Sequence, residues 1–115
     1  MTVQVTNINI ASEFSPYPHG RTRRDGKFSG ESFREEILAP AVRSAVANHG
    51  KVVVDLDGVK ALGSSFGEEA FGGLLRLDIG PAQEVLQTVE VRSSRPWLQT
   101  IAEDIRAYMS EAAAR

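Results

Sequence analysis

Three consecutive valines, Val52, Val53 and Val54, followed by Leu56, constrain the fold more than any other segment of the chain. Successive side chains of a strand point to opposite faces of its sheet, so a run that is apolar at consecutive positions favours a strand buried on both faces. Such strands occupy the interior of parallel sheets, where a crossover helix separates one strand from the next. The segment therefore predicts an α/β protein.

Apolar residues recur at helical spacing before this strand. The apolar face comprises Phe33, Ile37, Leu38, Ala41, Val42, Ala45 and Val46. We expect this helix to begin near Ser29, whose hydroxyl can cap free amides, and to end at Gly50 in the left-handed conformation that glycine favours. Pro40 lies inside this span and cannot donate a hydrogen bond to Glu36, so the pattern predicts a kink or two helical pieces.

Periodicity and turn signals predict five further segments. They are a strand over residues 3–10, a hairpin over residues 21–28 around Asp25 and Gly26, a helix over residues 65–77, a strand over residues 88–92 and a helix that begins near Pro96. The order predicts a single α/β domain over residues 1–115, with a mixed, mostly parallel sheet of about four strands and helices after the later strands. We interpret Trp97 as a packing residue, with an exposed anchor as the alternative.

The composition excludes several kinds of site. The chain has no cysteine, which excludes disulfides, thiolate metal sites and cysteine nucleophiles, and its two histidines, His19 and His49, lie far apart in the sequence. With 13 basic and 15 acidic residues the net charge is −2, which provides no general attraction to nucleic acid or to an acidic membrane. We expect no metal, no cofactor and no nucleic-acid or membrane partner. Since no signal peptide is visible, we expect a soluble, cytoplasmic protein.

Motifs for nucleotide binding are also missing from the sequence. Neither Gly-x-x-x-x-Gly-Lys-Ser/Thr nor Gly-x-Gly-x-x-Gly occurs, and the spacing of His19 and His49 does not pair either histidine with Ser64 or Ser65. We therefore expect a protein that is not an enzyme.

Polar side chains concentrate between the valine strand and the following helix, in residues 55–69. In open α/β sheets the loop from the carboxyl end of a strand to a helix N-terminus is the usual functional position. This loop contains Ser64, Ser65 and four carboxylates. The alternative is structural, because Ser65 and Glu68 have the spacing of a capping box and acidic residues in a first turn interact favourably with the helix dipole.

The run VVVDLDGVKALGSSFGEEAFGGLL, residues 52–75, resembles the STAS domain of bacterial anti-sigma factor antagonists. In that domain a strand ending in Asp-Leu-Ser/Gly is followed by a short loop, the motif Asp-Ser-Ser-Gly and a helix. The chain resembles more closely a bacterial family of STAS-like domains of unknown function, which implies a STAS-like fold. This closer resemblance covers about residues 8–75 and includes Gly20-Arg21, Asp25-Gly26, Ser29-Gly30-Glu31, Phe33-Arg34 and residues 64–73.

The resemblance also implies roles for individual residues. Ser65 stands at the position of the serine that is phosphorylated in anti-sigma factor antagonists, and Ser64 stands at that of the preceding serine. Gly63 and Phe66 replace the aspartate and the glycine of the motif. The implied partner is a serine kinase or anti-sigma factor with a histidine-kinase-like ATPase domain. The implied partner-binding residues are Asp57, Gly58, Gly63, Phe66, Glu68 and Glu69.

A phosphate on Ser65 would add about two negative charges beside Glu68 and Glu69. At an effective dielectric of about 20, each like-charge pair about 6 Å apart costs on the order of 2–3 kcal/mol before screening. This repulsion exceeds the gain of up to about 1 kcal/mol from the helix dipole. We therefore expect phosphorylation to disrupt an interface.

Three arginines, Arg21, Arg23 and Arg24, lie on one irregular loop and could hold a phosphate or carboxylate. The alternative is a solvated loop whose charges neutralise nearby acids. The sequence favours a non-catalytic protein-interaction module in bacterial signalling, switched by serine phosphorylation before the second helix. The alternative function is a domain that senses a small anionic ligand or nucleotide, held by the arginine loop and the amides of Ser64 and Ser65.

Overall fold

Three parallel strands form the sheet in the computed structural model, which describes residues 3–115. The strands are β1 (Val5–Asn9), β2 (Lys51–Asp55) and β3 (Val89–Arg92). β2 lies in the centre and pairs with β1 on one side and β3 on the other. The valine run thus forms the interior strand of a parallel α/β sheet, as its apolar pattern predicts.

Five helices accompany the sheet within the described residues. They are α1 (Ile10–Glu13), α2 over residues 30–48, α3 over residues 64–75, α4 (Ala82–Thr88) and α5 (Pro96–Ala113). α2 consists of Gly30–Phe33, a π-helical turn at Arg34–Leu38, and Ala39–Asn48; α3 consists of Ser64–Gly67, a π-helical turn at Glu68–Gly72, and Gly73–Leu75. In this part of the chain no helix is both long enough and apolar enough to cross a lipid bilayer.

The buried core lies on one face of the sheet. Ile8, Val54 and Val91 are aligned across the three strands on that face and are at most 3% exposed. They belong to one apolar cluster with buried side chains of α2, α3 and α5. On the opposite face Val5 is exposed and Val53 is only partly buried. The interior strand is therefore fully covered on one face rather than on both.

The predicted hairpin over residues 21–28 is wrong, and the sheet has three strands rather than about four. The carboxylate of Asp25 accepts hydrogen bonds from the backbone N–H groups of Arg21 and Thr22, both at 3.0 Å. The Asp25 N–H in turn donates to the Thr22 carbonyl. These local bonds occupy the backbone groups that a hairpin ladder would need, so the segment folds as a turn.

The short helix α4 is absent from the sequence-based prediction, which places a strand from residue 88 onward. In the structure Thr88 is the last residue of α4, and its hydroxyl donates to the Glu84 carbonyl at 2.8 Å. No side-chain cap hydrogen bond marks the beginning of this helix after Pro81. A helix this short depends on tertiary packing more than on its own sequence, so its sequence pattern is too weak to predict it.

The irregularity predicted at Pro40 is confirmed, and it takes the form of a π-helical turn. The Ala39 N–H donates to the Arg34 carbonyl, five residues earlier, immediately before the proline. α3 contains the same feature, in which the Gly73 N–H donates to the Glu68 carbonyl. Such wide turns absorb the lost or misplaced hydrogen bonds while the helix continues.

The last helix begins at Pro96, as predicted. Trp97 is 50% exposed, so its interpretation as a packing residue is wrong. The buried stripe of this helix begins one residue later, at Leu98, and continues through Ala102 and Ile105. Trp97 precedes this stripe and its side chain remains at the surface.

The end of α2 differs from the prediction in one residue. His49, rather than Gly50, adopts the left-handed conformation, with φ of 56° and ψ of 36°. The Gly50 N–H donates to the Ala45 carbonyl and the His49 N–H to the Val46 carbonyl, which is the bonding pattern of a Schellman motif. Glycine is needed at position 50 for space, because a Cβ there would lie 2.8 Å from the Gln4 carbonyl oxygen.

We expect His49→Gly to raise the free energy of unfolding by about 0.5–1 kcal/mol, because glycine adopts the left-handed conformation without steric cost. Gly50→Ala should lower it by about 1–3 kcal/mol, because the added methyl group collides with the backbone of Gln4. Urea unfolding followed by circular dichroism measures both. A stabilised Gly50→Ala variant would show that this helix end is assigned to the wrong residue.

Candidate functional site

An open cleft of about 610 Å³ lies between the loop before α2 and the beginning of α3. The loop contributes His19, Gly20, Arg21 and Asp25, and the beginning of α3 contributes residues 63–66. The structure therefore brings the arginine loop and the serine pair, which are some forty residues apart in sequence, into one site.

Backbone contacts position the two walls of the cleft. The Gly30 N–H donates to the Gly20 carbonyl at 2.9 Å, and the Glu31 N–H donates to the Arg21 carbonyl at 3.0 Å, which ties the loop to the beginning of α2. Gly30 in turn lies against α3, where an added Cβ would be 2.7 Å from the Phe66 carbonyl oxygen. These contacts bring the loop and the beginning of α3 close together on either side of Gly30.

Ser64 and Ser65 are both exposed and lie in the first turn of α3. Gly63 is the N-cap residue, so no side chain caps the first amides of the helix. The capping box that the sequence suggests does not form: Ser65 lies inside the helix, and the Glu68 carboxylate binds arginines instead. Within residues 3–115 neither serine hydroxyl has a hydrogen-bond partner.

A charged network, comprising Arg21, Arg34, Arg76, Glu68 and Glu69, borders the cleft. Glu68 binds Arg21 at 2.6 Å and Arg76 at 2.8 Å. Glu69 binds Arg34 at 2.7 Å and Arg21 at 3.3 Å. Hydrogen bonds from Arg76, and then from Arg21, lower the pKa of Glu68 to about 2. The two carboxylates beside Ser65 are thus paired with arginines, which removes much of the repulsion that the sequence predicts for a phosphate there.

Asp57 does not line the cleft. It follows β2 and forms hydrogen bonds with residues at the carboxyl ends of β1 and β3. Its carboxylate accepts hydrogen bonds from the Ser93 hydroxyl at 2.6 Å, the Ser94 hydroxyl at 2.7 Å and the Ser94 N–H at 3.0 Å. Its carbonyl accepts from Asn9 Nδ2 at 3.0 Å. The bonds from Ser93 and Ser94 lower the pKa of Asp57. The next residue, Gly58, makes the turn with a φ of +96°.

The Phe66 side chain is buried beneath the cleft that the residue borders, which corrects the expectation that it is exposed on a partner-binding surface. Its side chain is 0% exposed, and its ring centroid lies 5.9 Å from that of Phe33 and 6.2 Å from that of Phe14. Because the aromatic ring faces inward, Phe66 fixes the first turn of α3 on the core and leaves the serines on the outside.

Only one of the three arginines singled out by the sequence lines the cleft. Arg23 binds Glu35 at 2.8 Å and Glu36 at 3.5 Å on the exposed surface of α2. Arg24 is exposed and forms no ion pair within residues 3–115. Arg21 and Arg23 thus neutralise nearby acids, as the solvated-loop alternative describes, and Arg21 in addition lines the cleft.

A comparison with models of known protein families identifies the family of the chain. The model described as a STAS-like domain of unknown function (DUF4325) matches residues 29–96, which is more than half of the chain. The chain belongs to this STAS-like family. No curated protein and no solved structure matches it. The matched part contains the serine pair and the charged carboxylates, while the loop with His19 and Arg21 precedes it.

Four residues that contact predicted site residues of the STAS-like domain were not singled out by the sequence analysis: Ser93, Ser94, Arg34 and Arg76. Ser93 and Ser94 follow a predicted strand, and the carboxyl ends of parallel strands share one edge, so their proximity to Asp57 could have been inferred. Arg34 could not have been assigned to the network, because its partner depends on how α2 packs against α3. Arg76 lies eight residues after Glu68, outside the spacing of three or four residues at which side chains of one helix normally meet.

Gly72 and Gly73 of the STAS-like domain have no side chains, which leaves room for the charged side chains of the network. A Cβ on Gly73 would collide with the Arg34 guanidinium, and one on Gly72 would lie 2.5 Å from a Glu68 carboxylate oxygen. Charged side chains therefore pack closely against both glycines. Among residues 3–115 no group of three or more histidine, aspartate or glutamate side chains could hold a metal ion.

We expect Glu68→Gln to destabilise the STAS-like domain by about 1 kcal/mol at pH 7, an ion-pair value discounted for partial exposure. The folded-state pKa of Glu68, about 2, lies below its ordinary value of 4.5. The carboxylate therefore stabilises the fold above about pH 4.5, and this contribution is lost as the pH falls toward 2.

Urea unfolding at pH 7 and at pH 2.5 tests this linkage. The difference between wild type and Glu68→Gln should shrink at the lower pH. Glu36→Gln is the matched control, because Glu36 makes only a 3.5 Å contact with Arg23 and its side chain is 59% exposed. A difference that stays constant with pH would contradict the role given to the Glu68 carboxylate.

Proposed function

We propose that this STAS-like domain is a non-catalytic protein-interaction module in bacterial signalling, and that phosphorylation of Ser65 switches its binding. The observation that supports this most is the exposure of both serines on the wall of an open cleft, with no intramolecular partner for their hydroxyls in the described chain. A kinase needs a hydroxyl that is accessible and not already engaged in the fold.

The entrance to α3 has room for a phosphate. Nothing lies within 4 Å of a Cβ placed on Gly63, the residue before the serine pair. The first amides of α3 lack a side-chain cap, and free amides at a helix N-terminus interact favourably with negative charge. Both features favour a phosphorylated Ser65 that remains folded into the first turn.

The effect of such a phosphate would pass through Arg21. Arg21 lines the same cleft, and its side chain is 44% exposed while it holds Glu68 and Glu69. A phosphate dianion competes for a guanidinium more strongly than a singly charged carboxylate does. Phosphorylation of Ser65 would draw Arg21 from the charged network and change the shape and charge of the surface that a partner contacts.

The partner proposed from the resemblance is a serine kinase or anti-sigma factor with a histidine-kinase-like ATPase domain. Such a protein would bind the cleft and phosphorylate Ser65 in the same complex. The partner-binding surface then comprises the exposed rim of the cleft around Gly63, together with the charged side chains of Glu68 and Glu69, which are only partly buried.

A hydrolytic enzyme is the less favoured use of the same residues. His19 shares the cleft with Ser64 and Ser65, but within residues 3–115 no hydrogen bond joins the imidazole to either hydroxyl. A serine nucleophile needs a base within hydrogen-bond reach and a third group that orients this base. STAS-like domains are generally non-catalytic, in agreement with this arrangement.

Incubation with the cognate serine kinase and ATP should increase the mass of the domain by about 80 Da, one phosphoryl group. Ser65→Ala should abolish the increase, whereas Ser110→Ala, at an exposed serine on α5, should not. Intact-mass spectrometry measures all three proteins. An unchanged wild-type mass beside a kinase of demonstrated activity, or full modification of Ser65→Ala, would refute the proposal for Ser65.

A second candidate function is the sensing of a small anion or nucleotide, and the juxtaposition of Arg21 with the uncapped first turn of α3 favours it. The ligand would occupy the cleft and be held by the guanidinium and backbone amides. This function needs no kinase, so the two candidates can be separated in a purified system.

Thermal-shift measurements with inorganic phosphate, ATP and GTP test the second candidate. A true ligand at 100 times its dissociation constant adds about 2.7 kcal/mol to the free energy of unfolding. Arg21→Ala should abolish the shift relative to its own baseline, while Arg24→Ala, outside the cleft, should retain it. No shift with any of the three anions would exclude them as ligands and favour the interaction module.

A further inference from the structure

β1 forms an edge of the sheet and has one strand neighbour, β2, in the described chain. The Lys51 N–H donates to the Gln4 carbonyl, and Thr6 and Ile8 are the following residues of β1 that bond to β2. In parallel pairing the alternate residues direct their N–H and C=O groups away from the neighbour. The outward backbone N–H and C=O groups at this edge therefore belong to Val3, Val5 and Asn7. Within residues 3–115 these backbone groups have no hydrogen-bond partner.

This edge lacks the features that normally prevent strand pairing. Residues 1–12 contain no charged residue, no proline and no glycine. Val3 and Val5 are 53% and 52% exposed, and Val53, on the same face of the neighbouring strand, is only partly buried. Natural sheets usually protect such edges with charges, prolines or bulges.

The opposite edge of the same sheet is protected. β3 has four residues, and two of them, Glu90 and Arg92, are charged and exposed. The Leu56 N–H donates to the Arg92 carbonyl, so Val91 is a residue whose backbone groups point outward. The Arg106 side chain donates to the Val91 carbonyl and occupies that position. The contrast isolates β1 as the edge that is open to a partner.

We propose that β1 pairs antiparallel with β1 of a second copy of this chain, with Val5 opposite Val5. This register also places Val3 opposite Asn7 of the second copy, so the outward backbone groups of all three residues find partners. A strand without charge can face itself without repulsion, which favours a second copy over a charged partner. The two-fold axis runs perpendicular to the sheet, so the exposed valines of both copies meet on one face of a continuous six-stranded sheet.

The pairing is independent of the proposed function, because no residue of β1 lines the cleft. Sedimentation equilibrium of the full chain should give twice the monomer mass of 12.5 kDa, with dissociation on dilution. Val5→Lys should weaken this dimer at least 100-fold, because two ammonium groups would face each other at the axis. Thr100→Lys, at an exposed position of α5, is the control with the same charge change and should dimerise like wild type.

Circular dichroism checks that Val5→Lys remains folded, as its exposed position leads us to expect. Wild-type protein that stays monomeric up to about 1 mM overturns the proposal, since strand pairing with millimolar or weaker affinity is worth only about 4 kcal/mol. Equal dimer dissociation constants for Val5→Lys and Thr100→Lys also overturn the proposal, because the dimer interface would then lie outside β1.

Single-cysteine variants test the register, and the absence of native cysteine makes them unambiguous. Directly opposed residues in an antiparallel pair have Cα atoms about 5.5 Å apart, within reach of a disulfide. Val5→Cys should therefore give a covalent dimer on mild oxidation. Asn7→Cys should not, because the two Asn7 positions would be about four residues, or about 13 Å, apart. Faster cross-linking of Asn7→Cys than of Val5→Cys overturns the proposed pairing.

Discussion

Glu68 and Glu69 bind arginines from three different segments of the chain, and the shape of the candidate site depends on these ion pairs. Arg21 comes from the loop before α2, Arg34 from the π-helical turn of α2, and Arg76 from the end of α3. Arg34 is mostly buried and also donates to the Glu69 backbone carbonyl at 2.6 Å. The network thus holds the loop, α2 and α3 together with charge-assisted hydrogen bonds, which are stronger than neutral ones.

The charged network lies at the two π-helical turns. Arg34 begins the wide turn of α2, and Glu68 and Glu69 begin that of α3. Each wide turn advances the following residues around the helix relative to a regular α-helix, so it changes which side chains face the partner helix. The absence of side chains on Gly72 and Gly73 then leaves room for the carboxylate and the guanidinium to approach. Backbone irregularity and small residues act together here to admit charges between packed helices.

The sequence allowed the main elements to be predicted wherever local pattern and tertiary role agree. Val52 to Val54 form the central strand, Ser29 caps α2, and α5 begins at Pro96. The prediction was wrong where a residue makes a tertiary contact that cannot be inferred from its residue type. His49 adopts the left-handed conformation, although glycine adopts it more readily, because Gly50 is needed where the backbone of Gln4 approaches.

The main strands and helices, apart from α1 and α4, and the STAS-like family follow from the sequence alone, because apolar periodicity and the serine motif are local properties of the chain. The composition of the cleft was decided only by the tertiary structure. Ion pairs and hydrogen bonds between distant residues depend on how the helices and loops pack, and hydrophobic periodicity carries no information about them. The fold therefore made Arg21 part of the site, left Arg23 and Arg24 outside it, and engaged Asp57 with Ser93 and Ser94 at the carboxyl ends of the strands.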